Sequence, residues 1–164
     1  MCALSGSRIE RAGHHRTPPA AHAIDSVSEV FQEDVQRLRH AYEAFNEGGV
    51  EAFLERLAPE FQLQDRDSSP DRAATRYGKE GIKQLFDSYM EAFDALRLEP
   101  QEFIDCGDQI VVALHQRVRG KGSGAEVVGN IAHVWTMRGE APYRLRIFGD
   151  MESALTTLRA EGTL

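Results

Sequence analysis

From Ala125 to Arg138 apolar and polar positions alternate with a period of two. Val127, Gly129, Ile131, His133, Trp135 and Met137 share one face, and Val128, Asn130, Ala132, Val134 and Thr136 the other. After a tight turn at Arg138, Gly139 and Glu140, the pattern resumes with Tyr143, Leu145 and Ile147 opposed to Arg144, Arg146 and Phe148. Two further extended runs, LRLEPQEFID and QIVVALHQRVRG, precede this hairpin, with CGD and GKGSG as the intervening turns. Polar residues interrupt both faces, so one face of this sheet is expected to line a pocket.

The first half of the chain has a helical period instead. Val27, Phe31, Val35, Leu38, Tyr42 and Phe45 recur every three or four residues, behind Asp25 or Ser26 as the expected N-cap. Asn46, Gly48 and Gly49 stop this helix, and Val50, Phe53, Leu54 and Leu57 form a second, short one ending at Pro59. FQLQD then reads as a short strand with Phe61, Leu63 and Asp65 on one face. A polar loop from Arg66 leads to a third helix after Gly78, with Ile82, Leu85, Phe86, Tyr89 and Phe93 on its apolar side. Helices first and a meander of strands after them imply an α+β domain.

The 164 residues, 41% hydrophobic and 27% charged, suit one domain over residues 25–160. Residues 1–24, with Arg8, Arg11 and Arg16 against Glu10, read as a disordered tail, with an organelle transit peptide as the alternative. The formal charge of −7 and the lack of a basic stripe exclude a nucleic-acid binder. No apolar run approaches the ~20 residues of a membrane helix, so a soluble, cytoplasmic protein is expected. Cys2 and Cys106 are far apart, which argues against a disulfide framework.

Chemistry is sparse. His14 and His15 lie in the tail with no ligand-spaced partner, His115 and His133 read as satisfied strand histidines, and no metal or other cofactor is expected. No serine sits in a glycine-flanked elbow, and GKGSG opens a strand where a phosphate cradle would open a helix. Asp65 stands out, because a carboxylate sharing a face with Phe61 and Leu63 must be paired, protonated or turned toward a cavity. In a cavity it suits a general base. The competing reading makes it an exposed turn residue or an arginine partner.

AYEAFNEGGVEAFLERLAPEFQLQD, RYGKEGIKQLF and GNIAHVWTMRGEAPYRLRIFGD together resemble, in order and spacing, the SnoaL-like branch of the nuclear transport factor 2-like superfamily. This branch lies beside ketosteroid isomerases and limonene epoxide hydrolases. The resemblance spans about residues 33–158. It implies a cystatin-like cone, with about three N-terminal helices on a strongly curved antiparallel sheet of four to six strands. An apolar pocket opens at the wide end of such a cone, and members commonly form homodimers through the sheet.

By the same resemblance Asp65 matches the proton-transferring base of the isomerases. Ala41 and Ala132 fall where their oxyanion-hole Tyr and Asp stand, beside Tyr42 and His133. Phe148 replaces the acid of the polyketide cyclases. The implied pocket face carries Asp65, Val112, Leu114, Gln116, Asn130, Ala132, Val134, Arg146 and Phe148, with Tyr77, Phe86 and Tyr89 as a wall. His115, His133 and Trp135 then face the dimer, and a one-residue shift in register exchanges the two sets. Gln116, Asn130 or Arg146 would orient a substrate oxygen, and Arg146 beside Asp65 would form an ion pair. The resulting expectation is a pocket for a small, largely apolar, carbonyl-bearing molecule, with isomerase, cyclase or lyase chemistry at Asp65. The alternative is a non-catalytic ligand-binding or dimerisation module.

Overall fold

The computed structural model describes residues 3–4, 21–65 and 75–164. The first helix, α1 (Ala21–Leu54), carries the apolar stripe: Phe31, Val35, Leu38, Tyr42 and Phe45 are all buried. It starts at Ala21, so Asp25 and Ser26 lie inside it instead of capping it. The alanine-rich run there favours helix strongly enough to begin earlier. At Gly49 the backbone enters the left-handed region (φ 73°), open to glycine at little cost, and the chain bends where a helix end was expected. Asn46, expected only to terminate the helix, bridges to the sheet. Its side-chain amide donates to the Leu98 carbonyl at 2.7 Å and accepts from the Leu98 N–H at 2.9 Å. Both backbone groups sit on a strand edge that no described strand pairs at this point, so the contact satisfies groups the described sheet leaves open.

The strands are β1 (Ala3–Leu4), β2 (Gln62–Asp65), β3 (Thr75–Tyr77), β4 (Phe93–Asp105), β5 (Gln109–Gly120), β6 (Glu126–Arg138) and β7 (Ala141–Phe148). Helix α2 (Gly78–Ala92) separates β3 from β4, and α3 (Met151–Ala160) follows β7. Six strands, β2 to β7, form the body of the sheet, with the two-residue β1 on one edge in the order β1-β4-β5-β6-β7-β2-β3. Register shifts in β4–β5 and β6–β7 mark bulges, which bend a sheet into a cone.

Several features depart from the sequence reading. β2 runs parallel to β7, so the sheet is mixed. β3 occupies the end of what reads as a loop, and residues 66–74 lie outside the described residues. Of the expected tail, Ala3–Leu4 pairs with β4 and Ala21 onward is helical, while residues 5–20, including His14 and His15, lie outside the described residues. Cys106 is buried and disulfide-bonded, against the expectation of separate thiols. No helix among the described residues is long and apolar enough to cross a membrane.

Helix α3 matters most for the site. Asp150 caps it, accepting from the Ser153 N–H at 2.6 Å, and Ala154 and Leu158, one turn apart, are fully buried. They pack with Ile104, Val111, Ala132, Val134 and Phe148 as a second apolar cluster. The main cluster lies on the other face of the sheet, under α1 and α2. Both faces of β6 are therefore covered between Ala132 and Trp135.

Candidate functional site

Between α1, α2 and the concave face of the sheet lies a cavity of about 280 Å³. This is just below the ~300–1,000 Å³ usual for small-molecule sites. Its walls include Phe45, Phe53, Leu85, Phe86, Phe93, Leu96, Ile131, Leu145 and Ile147. The polar side chains among them are Asp65, Tyr89, Gln116, Tyr42, His133 and Trp135, and among the described residues no Lys or Arg lines it.

Asp65 ends β2, 5% exposed, opposite Ile147 of β7. Paired residues share a face, so the same register that brings Ile147 to the cavity brings Asp65. The Tyr89 hydroxyl, one helical turn beyond Phe86 on α2, donates to Asp65 Oδ2. A buried carboxylate is thus held in one orientation by a donor from another element. Arg146, expected beside Asp65, points through the opposite face and meets Glu161 at 2.7 Å.

A second polar group sits on α1 and β6. Trp135 Nε1–H donates to the Tyr42 hydroxyl at 2.8 Å, and that hydroxyl hydrogen-bonds His133 Nδ1 at 2.9 Å. Tyr42 and His133 stack and Trp135 meets both edge-on, which fixes the ring planes. Burial raises the Tyr42 hydroxyl pKa well above its ordinary value and pushes the His133 imidazole down to about 3. Both groups are neutral at physiological pH.

Of the residues singled out from the sequence, Asp65, Tyr42, Phe86, Gln116, His133, Trp135 and Phe148 gather at the cavity, as does Tyr89. Five do not. Tyr77 is 65% exposed at the entry to α2, Asn130 is exposed, Leu114 is buried beneath the cavity wall, and Ala132 and Arg146 face α3. Val134 joins them on that face. The cause is register: β5–β6 pairing sets Val112 opposite His133 and Leu114 opposite Ile131, whereas Asn130 faces His115. Val112, Leu114 and Gln116 therefore share their face with His133 and Trp135, not with Asn130, Ala132 and Val134. The same shift brings Tyr42 to the site in place of Ala41 and His133 in place of Ala132.

A cone of helices on a curved mixed sheet, with an apolar cavity and a few inward polar groups, defines a nuclear transport factor 2-like protein. The SnoaL-like domain family matches residues 38–141, and the chain belongs to that family. Solved structures agree on the fold. A nuclear transport factor 2-like protein of unknown function from Burkholderia pseudomallei superposes with a TM-score of 0.63 at 25% identity, covering 76% of this chain and 95% of that one. TerC, co-crystallised with polyporic acid, gives 0.64 at 22% identity over 77% and 98% of the two chains. SalBIII, an epoxide hydrolase/cyclase-like enzyme of pyran ring formation in the polyether salinomycin, gives 0.60 at 20% identity over 74% and 93%. No curated protein matches the chain.

Proposed function

We propose that the cavity binds a small, largely apolar molecule bearing a carbonyl group and that Asp65 acts as general base on it, in isomerase-, cyclase- or lyase-type chemistry. The observation that carries this reading is one buried carboxylate, oriented by Tyr89, in an enclosure whose walls are mostly apolar. Most of the lining is apolar, so a carboxylate in contact with a carbon acid there has little solvation to lose. That SalBIII is epoxide hydrolase/cyclase-like and that TerC was co-crystallised with polyporic acid are consistent with it. A non-catalytic ligand-binding module is the second reading. It is favoured by Tyr42, whose hydroxyl is already engaged by Trp135 and His133.

Trp135, the only tryptophan, lines the cavity and reports occupancy. Titration with 2-tetralone, a bicyclic ketone of suitable size, is expected to quench its fluorescence, with one molecule retained per chain in native mass spectrometry. Unchanged emission and no retained ligand would sink the pocket reading.

We propose, too, that two copies pair through the sheet, at the end of β6 where Val127 is 59% and Val128 49% exposed. Sedimentation velocity is expected to show a dimer that Val127→Glu with Val128→Glu splits. A monomeric unmutated protein at micromolar concentration would refute it.

A further inference from the structure

We propose that His133 is the donor that reads the ligand oxygen: its Nε2–H, set in place by the Trp135–Tyr42 chain behind Nδ1, is presented to an uncharged carbonyl group in the cavity. This rests on the pocket reading above and names the ligand class and the residue that selects it.

The argument is a count of hydrogens. Trp135 Nε1 can only donate, and it does so to the Tyr42 oxygen. Tyr42 has one hydrogen of its own, and His133 Nδ1 lies within reach of it at 2.9 Å. The reverse arrangement, Nδ1–H donating to Tyr42, would leave both the Tyr42 hydrogen and the Nε2 lone pair without a partner among the described residues, one group more than the Nε2 hydrogen alone, at an added cost of roughly 1–3 kcal/mol. Nδ1 therefore accepts. In a neutral imidazole the hydrogen must then reside on Nε2. Deep burial keeps the ring neutral across the physiological range. Nε2 makes no hydrogen bond to any described residue, while His133 lines the cavity. A donor that the protein leaves unsatisfied in an apolar enclosure is satisfied by a ligand acceptor.

The charge of that acceptor follows from the walls. With Asp65 present and no Lys or Arg among the described lining residues, a carboxylate ligand would meet repulsion there and find no described cation to offset its desolvation. A ketone or other neutral carbonyl carries only partial charge and meets neither. If proton abstraction follows, the same Nε2–H faces the oxygen on which negative charge develops, while the imidazole itself keeps its hydrogen. Tyr42 is a positioning residue in this arrangement. It sets the tautomer and touches no ligand through its engaged hydroxyl.

Two measurements decide. Long-range ¹H–¹⁵N correlation spectra, with His133 assigned by its absence in His133→Gln, are expected to show His133 as the Nε2–H tautomer. Tyr42→Phe is expected to release it into a tautomer mixture. A protonated Nδ1 in the unmutated protein overturns the proposal whether or not any ligand binds. In the second measurement, 2-tetralone is compared with tetralin, which has the same skeleton without the oxygen. The unmutated protein is expected to prefer the ketone by about three- to tenfold, the worth of one neutral hydrogen bond. His133→Phe is expected to bind both alike. A preference that survives in His133→Phe, or none in the unmutated protein, overturns the assignment while leaving the pocket reading intact. Failure of both compounds to bind overturns the pocket reading, and the ligand assignment with it.

Discussion

Asp65→Asn is expected to slow the exchange of 2-tetralone α-hydrogens with solvent deuterium by roughly 100-fold or more, the contribution usual for a positioned general base. In the step tested, an Asp65 oxygen takes a hydrogen from the carbon next to the carbonyl. The C–H electron pair forms the enolate double bond and charge moves to the oxygen, after which deuterium returns to carbon from the exchanged carboxyl. Asparagine keeps the shape of the side chain and can still accept from the Tyr89 hydroxyl, so the fold and 2-tetralone binding should change little. Tyr89→Phe removes only the orienting donor and should cost less than Asp65→Asn. Mass spectrometry of the ketone recovered from D₂O reads the rate directly. Equal rates for Asp65→Asn and the unmutated protein rule Asp65 out as the base. If the unmutated protein gives no exchange above the buffer rate although it binds the ketone, the non-catalytic reading stands.

The placement of Asp65 was legible from a single apolar alternation, since Phe61, Leu63 and Asp65 are all buried on one face of β2. The stripe of α1 and the long strands β4, β5 and β6 were equally clear, because each carries one strong period over ten or more residues. The face of β6 was not. Period-2 alternation identifies a buried face only when the other face meets water, and here α3 covers Ala132 and Val134 while the cavity side holds His133 and Trp135. A sequence reading that omits α3 has no element to bury Ala132 and Val134, and so turns them to the pocket. Asp150 with Ala154 and Leu158 one turn apart was the available signal. Tyr89 as the partner of Asp65 lay beyond reach, because 24 residues and the strand β3 separate them. The Trp135–Tyr42 contact was half visible: a fully buried indole N–H requires an acceptor, though no spacing says which.

Acid should destabilise the protein through His133 before the carboxylates begin to titrate. The folded state holds this imidazole neutral down to about pH 3, whereas in the unfolded chain it gains a proton near its ordinary value of 6.5. Between those limits the unfolded state binds one more proton, so stability is full above about pH 6.5 and falls as pH drops toward 3. The slope for one proton is about 1.4 kcal/mol per pH unit. From pH 7 to pH 5 this amounts to roughly 2 kcal/mol, a large share of a marginal domain's stability. Other groups contribute to the total, so the decisive quantity is the difference between the unmutated protein and His133→Gln, measured by urea unfolding at each pH. Glutamine can accept from Tyr42 and donate toward the cavity but cannot titrate. The stability advantage of the histidine protein is expected to shrink steadily between pH 6.5 and 5, or to change sign. A difference that stays constant over that range would show that His133 is protonated in the folded state as readily as in the unfolded one, and that its imidazole is not sealed from water.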